Sequence, residues 1–292
     1  MRNTPPATRD EAIDLIRQSR LAERIHELAP LLRPSIRLLL DARVGETEPI
    51  GRTRLGGDPD LPAGFAWPTW AATVPRSFGR RSKPLETALA FVAQLRLSDL
   101  APLDAHGELP PEGLLYFFYD TETQPWCLDA AEAAGGRVIF VPDESSRLAR
   151  TRRPDVGTTR RLRACAVALR TEWTLPSGIL YDDDGENDAY DALVTRLHAG
   201  DEKHSDTDVQ RVLGWTQGVQ DPPEECGPDT YTGPPEREHA LAEDWRLLLQ
   251  LDSDEESHGC CFGDLGRVFF MAHAKDVRER HFDRAWYTLQ CT

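Results

Sequence analysis

Lysine is almost missing from this chain. Lys83, Lys203 and Lys275 are the only three in 292 residues, out of 34 basic residues, and the arginine excess reads as coding bias. Long apolar runs are missing too. None approaches the ~18 residues needed to cross a bilayer. The opening MRNTPPATRDEAIDL has no apolar h-region, so neither membrane insertion nor a secretory signal is expected. The six cysteines, Cys127, Cys165, Cys226, Cys260, Cys261 and Cys291, form no C-x-x-C pair. A chain of this length does not need disulfide staples, so a reduced, cytoplasmic protein is the expectation. No G-x-S-x-G elbow, P-loop or G-x-G-x-x-G is present, and no cofactor is expected. Positive charge is outweighed by 49 acidic residues, giving a net charge of −15. That field repels nucleic acid and anionic membranes. Oligomeric state is not readable.

What is present is unevenly spread. Ser145 to Arg170 holds eight arginines and one acid, Asp155; Asp182 to Asp208 holds ten acids, and Asp221 to His258 holds twelve. Thr8 with Glu11 has the form of a capping box, and Ile13, Ile16, Leu21, Ile25 and Leu28 follow at roughly helical spacing until Pro30. After Pro34 short apolar runs alternate with Gly and Pro: IRLLLDARV, LAFVAQLRL, GLLYFFYD, GRVIFVPD, RLRACAVAL, WRLLLQLDS, GRVFFMAHA and RAWYTLQCT. Each has strand length. Helical patterns are few: Asp188 to His198, and a short stretch near Lys275 to Phe282. The fold class expected is mainly β, a β-rich α+β chain with an N-terminal helix. The Pro- and Gly-dense stretches Gly51–Pro84 and Gly218–Pro235 read as long irregular loops.

The two halves share a pattern. Leu55-Gly56 is followed 38 residues later by Gln94, and Gly113 comes 19 further on; Leu213-Gly214 is followed 36 residues later by Gln250, and Gly266 comes 16 further on. GRVIFV and RAWYTLQ form a looser fourth pair. These anchors point to a duplicated β unit of about 100 residues, with residues 1–33 as the helix, 34–150 as the first repeat and 160–292 as the second, in one domain. A cleft between the halves is the natural concave site. Gln94 and Gln250 are polar residues inside apolar strands. A buried amide must satisfy its donors and acceptor, so each either braces a loop backbone or faces a ligand.

Other constellations are weaker. Asp252, Asp254, Glu255, Glu256 and Asp264 follow the Gln250 strand. They form either a solvated turn with Asp252 buried on backbone N–H groups, a site for a hard cation or polar ligand, or an acid–base pair. The Asp182 to Asp188 run fails the calcium-loop order, which needs Gly sixth and Glu twelfth, and reads as a helix cap. His258, Cys260, Cys261, His273 and His281, with Cys226 and His239, lack zinc spacing, so no metal is expected. Trp67 and Trp215 precede the two repeated strands, where an indole could stack on a ligand.

The phrases GGDPDLPAGFAWP, LAFVAQLRLSDL, LPPEGLLYFFYD, HSDTDVQRVLGWTQGVQD, WRLLLQLDSDEE and CFGDLGRVFFMAHAKDV, with the FDRAWYTLQC ending, occur in this order. Together they resemble the YwqG-like family, a bacterial domain-of-unknown-function family, over roughly Gly51 to Cys291. The resemblance implies a roll-like fold of repeated halves, bacterial origin and a cytoplasmic location. It supplies no reaction. Through relatives near contact-dependent toxin genes it implies an immunity role, with a toxin-like or regulatory protein partner. The chain departs from the pattern at Cys260-Cys261, where relatives carry an apolar or aromatic pair, and in its arginine-rich Arg147–Arg170 middle. The expected function is non-catalytic binding of a protein or small polar ligand. The alternative is an enzyme whose polar site joins Gln94, Gln250, Asp252 and Asp264.

Overall fold

Alternating apolar and polar residues between turns build strands, and the chain lays them into one large antiparallel sheet. The structure is a computed structural model that describes residues 5–72, 84–127, 131–144, 147–157, 159–198, 209–225 and 241–292. Its first helix, α1, spans Arg9–Gln18, with the capping box between Thr8 and Glu11 in place. The expected single N-terminal helix is broken. At Ser19 the backbone turns extended, and the Ser19 hydroxyl donates back to the Ile16 carbonyl while accepting from the Leu21 N–H. A serine that satisfies nearby backbone groups competes with the helix ladder. A 3₁₀ turn, the short α2 (Ile25–Leu28) and a second 3₁₀ turn then lead into the sheet.

The strands are β1 (Arg33–Asp41), β2 (Arg54–Leu55), β3 (Asp60–Pro62), β4 (Thr69–Ala72), β5 (Leu85–Ala88) and β6 (Ala90–Arg96). After helix α3 (Leu97–Leu100) come β7 (Leu114–Tyr119), β8 (Gly136–Val141), β9 (Leu148–Arg150) and β10 (Cys165–Thr174). Helix α4 (Asp184–Leu197), capped by Asp183, precedes β11 (Arg211–Val212), β12 (Trp245–Asp252) and β13 (Arg267–His273). Helix α5 (Ala274–Glu279) precedes the last strand, β14 (Trp286–Gln290). The Gly51–Pro84 stretch is therefore more regular than expected, since β2, β3 and β4 lie within it. Among the described residues no helix is long and apolar enough to cross a membrane.

Sheet order is β14-β13-β12-β11-β1-β10-β2-β6-β7-β8. Reading outward from the centre, β11, β12, β13 and β14 on one side repeat β2, β6, β7 and β8 on the other. The β1–β10 register is symmetric about the Leu39–Ala168 pair, with Asp41 facing Ala166 as Arg37 faces Arg170. The outer pairings repeat as well. Arg54 faces Gln94 as Arg211 faces Gln250, and Leu55 faces Cys165 as Val212 faces Ile36. A register break between Phe91 and Ala93 recurs between Leu247 and Leu249. Leu114 faces Val141 as Arg267 faces Gln290, which places GRVIFV opposite RAWYTLQ in the pattern. The central strands are exchanged: β1 lies beside β11, and β10 beside β2.

One anchor moves by a residue. Leu55 corresponds to Val212, so Gly56-Gly57 corresponds to Leu213-Gly214. The backbone agrees: φ is +64° and +71° in the first pair and +61° and +72° in the second. Glycine takes such angles freely, whereas Leu213 holds its own at a cost of order 1 kcal/mol.

The sheet curls until its edges approach. Gly136 at the start of β8 lies against the Tyr287 ring of β14, where any side chain would collide. Phe117 meets Phe270 edge to face at 5.3 Å. The enclosed core joins Val92, Leu95, Leu115 and Phe117 to Leu249, Leu251, Val268 and Phe270. Each such side chain contributes ~1.5–3 kcal/mol on burial. Smaller clusters lie on the outer face. Phe91, Tyr116 and Phe118 lie in the first half, Leu247, Phe269 and Met271 in the equivalent places of the second, and a third cluster packs α1 and α4 over Trp173.

Candidate functional site

Gln94 and Gln250 are each wholly buried, and strand alternation puts them on the outer face, since Ala93, Leu95, Leu249 and Leu251 face the enclosed core. Their amides do the same work. Gln94 accepts from the Asp60 N–H at 2.8 Å and donates to the Arg52 carbonyl at 2.8 Å. Gln250 accepts from the Gln217 N–H at 2.9 Å and donates to the Val209 carbonyl at 2.9 Å. Gln94 also donates to the Asp60 carboxylate at 3.2 Å. Each amide holds the ends of its own half's loop around the paired turn residues. The interior between them is apolar, so they do not meet across a cleft.

Asp252 is buried. Its carboxylate accepts from the Val209 and Ser253 N–H groups and pairs with Arg267 at 2.8 Å. Asp264 is exposed on the turn before β13. Trp215 is buried and donates from its indole to the Leu31 carbonyl at 2.7 Å, with the Arg33 guanidinium 3.4 Å from its ring centroid. Trp67 is half-buried; its indole donates to the Leu89 carbonyl at 3.0 Å and meets Phe118 edge to face.

Of these six residues, Trp67 borders a cavity. That cavity, about 490 Å³, lies on the outer face of the first half; Trp67 and Phe91 form its apolar wall, and Arg152, Arg153, Arg161 and Asp58 form its rim. Such a volume suits a small molecule. The arginines come from the segment leading into β10, which folds back over β2 and β6. Its backbone is fixed where the Gly57 N–H donates to the Leu162 carbonyl and the Ala88 N–H to the Val156 carbonyl. Arg153 is itself anchored, donating to the carbonyls of Ala88 and Val156. Arg161 stands 3.4 Å from the Asp58 carboxylate, with about half its side chain exposed. Arg152 is exposed. Three guanidiniums against two carboxylates, Asp58 and Asp155, thus rim an aromatic wall in an otherwise acidic chain, with Arg161 also 3.5 Å from Glu46. A second concavity, about 630 Å³, lies on the symmetry axis along Leu39, Asp41, Arg43 and Val167.

Two of the buried thiols are not poised as nucleophiles. Burial pushes Cys165 up to about 12 and Cys260 up to about 11, which leaves both protonated at neutral pH. His258 has both ring nitrogens on backbone groups, Nδ1 accepting from the Cys260 N–H and Nε2 donating to the Asp252 carbonyl. No group of three His, Cys, Asp or Glu side chains among the described residues could hold a metal. Cys226 and His239, weighed with them, lie outside the described residues.

The second half buries a charge cluster that the periodicity does not reveal. Glu172 bridges two wholly buried guanidiniums, Arg37 at 3.1 Å and Arg211 at 2.8 Å. His198 caps α4 beside them, and its carbonyl accepts from Arg37 at 3.4 Å. Burial, then the charges of Arg211, Arg37 and Arg267, hold the His198 ring well below its ordinary value. The folded state keeps it neutral, whereas the unfolded chain protonates it near 6.5. Below that pH the unfolded state takes up a proton that the folded state refuses. His198 therefore leaves stability intact above about 6.5 and erodes it as pH falls, by up to about 1.4 kcal/mol per pH unit. His258, also lowered by burial, acts in the same sense. Glu224, raised by burial, acts oppositely in a window just above the carboxylate range. His198→Leu should therefore lose less stability than the parent between pH 7 and pH 5 in urea unfolding. Equal losses would place the titration elsewhere.

A family model described as Domain of unknown function (DUF1963) matches residues 53–291. No curated protein matches the chain. The matched region starts just before β2 and runs to the residue after β14, taking in both outer strand sets, the two glutamine braces and the cavity. The chain belongs to this domain-of-unknown-function family.

Proposed function

We propose that the chain is a YwqG-like member of its family, a bacterial cytoplasmic protein that binds a small anionic ligand without transforming it. The observation that carries this reading is the Trp67 cavity with its Arg152, Arg153 and Arg161 rim. Guanidinium is the side chain best suited to carboxylate and phosphate, because its planar fork offers paired donors. The two wall aromatics supply apolar area beside the charge. The buried thiols Cys165 and Cys260 are held protonated, and the glutamines and Asp252 are consumed by backbone and Arg267. These facts favour binding over catalysis. The concave shape favours a small molecule over a flat protein surface. An immunity or regulatory role would then run through occupancy of the cavity.

The test is calorimetric titration with a panel of phosphate, sulfate, citrate and aromatic and aliphatic carboxylates and phosphates. At least one should bind saturably. The Arg152→Ala and Arg161→Ala variants should each weaken it about tenfold, as loss of a hydrogen bond to a charged group implies. Binding that is indifferent to both arginines, or no anion bound at all, removes the reading.

A further inference from the structure

The sheet's internal symmetry gives the turn beside this cavity a counterpart in the second half, where a buried indole follows it. Gly57 corresponds to Gly214, with φ +71° and +72°, so the next residues, Asp58 and Trp215, leave equivalent turns. Asp58 lines the open cavity. Trp215 carries a buried indole from the equivalent turn. The segment entering β1 covers the indole: the Leu31 carbonyl accepts its N–H at 2.7 Å, and the Arg33 guanidinium lies 3.4 Å from its ring centroid. In the first half the segment entering β10 takes the same position, with Leu162 in the register place of Arg33, and the adjoining Arg161 stands 3.4 Å from Asp58 and 3.5 Å from Glu46. The short Asp58 side chain leaves free the room that the larger one occupies. The two halves therefore present one design twice, once closed by the chain's own flat ring under a guanidinium and once open.

We infer that the open cavity takes a planar aromatic ring bearing an anionic group, seated beneath the guanidinium rim as the Trp215 indole sits beneath Arg33. This rests on the anion-binding reading above and narrows it. The ring gains the stacking and cation–π attraction that Arg33 shows on Trp215, while the anionic group meets Arg152 and Arg161. The neutral Thr159 hydroxyl and the Asp155 carboxylate on the same rim favour a ligand that also carries a hydrogen-bond donor.

The experiment titrates the whole chain with phenyl phosphate, adenosine monophosphate, inorganic phosphate and adenosine. The aromatic phosphates should bind about tenfold tighter than inorganic phosphate and than the neutral nucleoside, as one stacked cation–π contact implies. Asp58→Trp, which copies the second half's plug, should abolish binding while the melting temperature holds. Arg161→Ala, at an exposed position that does not depend on Asp58→Trp folding, should weaken the aromatic phosphates about tenfold. Inorganic phosphate binding as tightly as phenyl phosphate would overturn the aromatic inference and leave the anion reading standing. Undiminished binding in a folded Asp58→Trp protein would overturn it too. If neither aromatic phosphate binds while an aliphatic anion does, the inference falls alone; if no anion binds, both fall.

Discussion

Glu172→Gln should lower stability by about 3–5 kcal/mol, because it leaves two buried guanidiniums without their shared anion. Glu172, Arg37 and Arg211 are each at most 1% exposed. Neither cation can reach water, and Arg37 and Arg211 are direct cross-strand neighbours, so their mutual repulsion emerges once the carboxylate is gone. Burial already pulls Arg211 down to about 10. The chain carries its own control. Arg54 occupies the place of Arg211 in the first half, equally buried, yet Ala166 stands where Arg37 stands, and the nearest bonded group is the Gly45 carbonyl at 3.1 Å. Two of the Arg54 guanidinium nitrogens have no hydrogen-bond partner among the described residues. Removing that charge relieves a desolvation penalty. Arg54→Met should therefore lie within about 1 kcal/mol of the parent, on either side, while Arg211→Met costs several. Denaturant unfolding of the three variants decides it. Equal losses for Arg54→Met and Arg211→Met would show that Glu172 does not set the difference.

The glutamine braces should behave as a matched pair. Gln250→Leu strands the half-buried Gln217 N–H and the buried Val209 carbonyl, at about 1–3 kcal/mol per group. Gln94→Leu strands the Asp60 N–H and the Arg52 carbonyl and also takes a donor from the Asp60 carboxylate. Losses of about 2–5 kcal/mol are expected for each, with the Gln94 variant the worse. They sit in different halves with no shared partner, so the double variant should show the sum within about 0.5 kcal/mol. Chemical denaturation of the set checks both points. A loss below about 1 kcal/mol for either single variant would mean that water replaces the amide.

Much of this architecture is legible in the sequence, for a physical reason: strand runs, glycine turns and a polar residue inside an apolar strand are local signals. Gln94 and Gln250 stand out because an amide in such a run must be paired. The turn register is offset by one residue from the Leu-Gly match, because Leu213 holds a left-handed angle that sequence reasoning assigns to glycine. The break at Ser19 escapes notice because apolar spacing continues past it. The charge cluster is hidden because Arg37, within IRLLLDARV, reads as the polar face of a strand, and its partner Glu172 lies far along the chain. The cavity is half visible. Position alone singles out Trp67, but Arg152, Arg153 and Arg161 look like a solvated stretch. The fold-back of the segment before β10 is what sets them over the aromatic wall.

The exchange of β1 and β10 governs how the polypeptide can be made. Strand β1, Arg33–Asp41, leaves the ribosome early, yet the neighbours flanking it, Cys165–Thr174 and Arg211–Val212, emerge only after more than half the chain has been synthesised. Until then its edges stay unpaired and its apolar residues Ile36 and Leu38 lack their final cover, a state prone to association with other nascent chains. Such distant pairings also slow folding. Translation pauses or chaperone capture before residue 211 should therefore govern the soluble yield more than codon changes near the C-terminus.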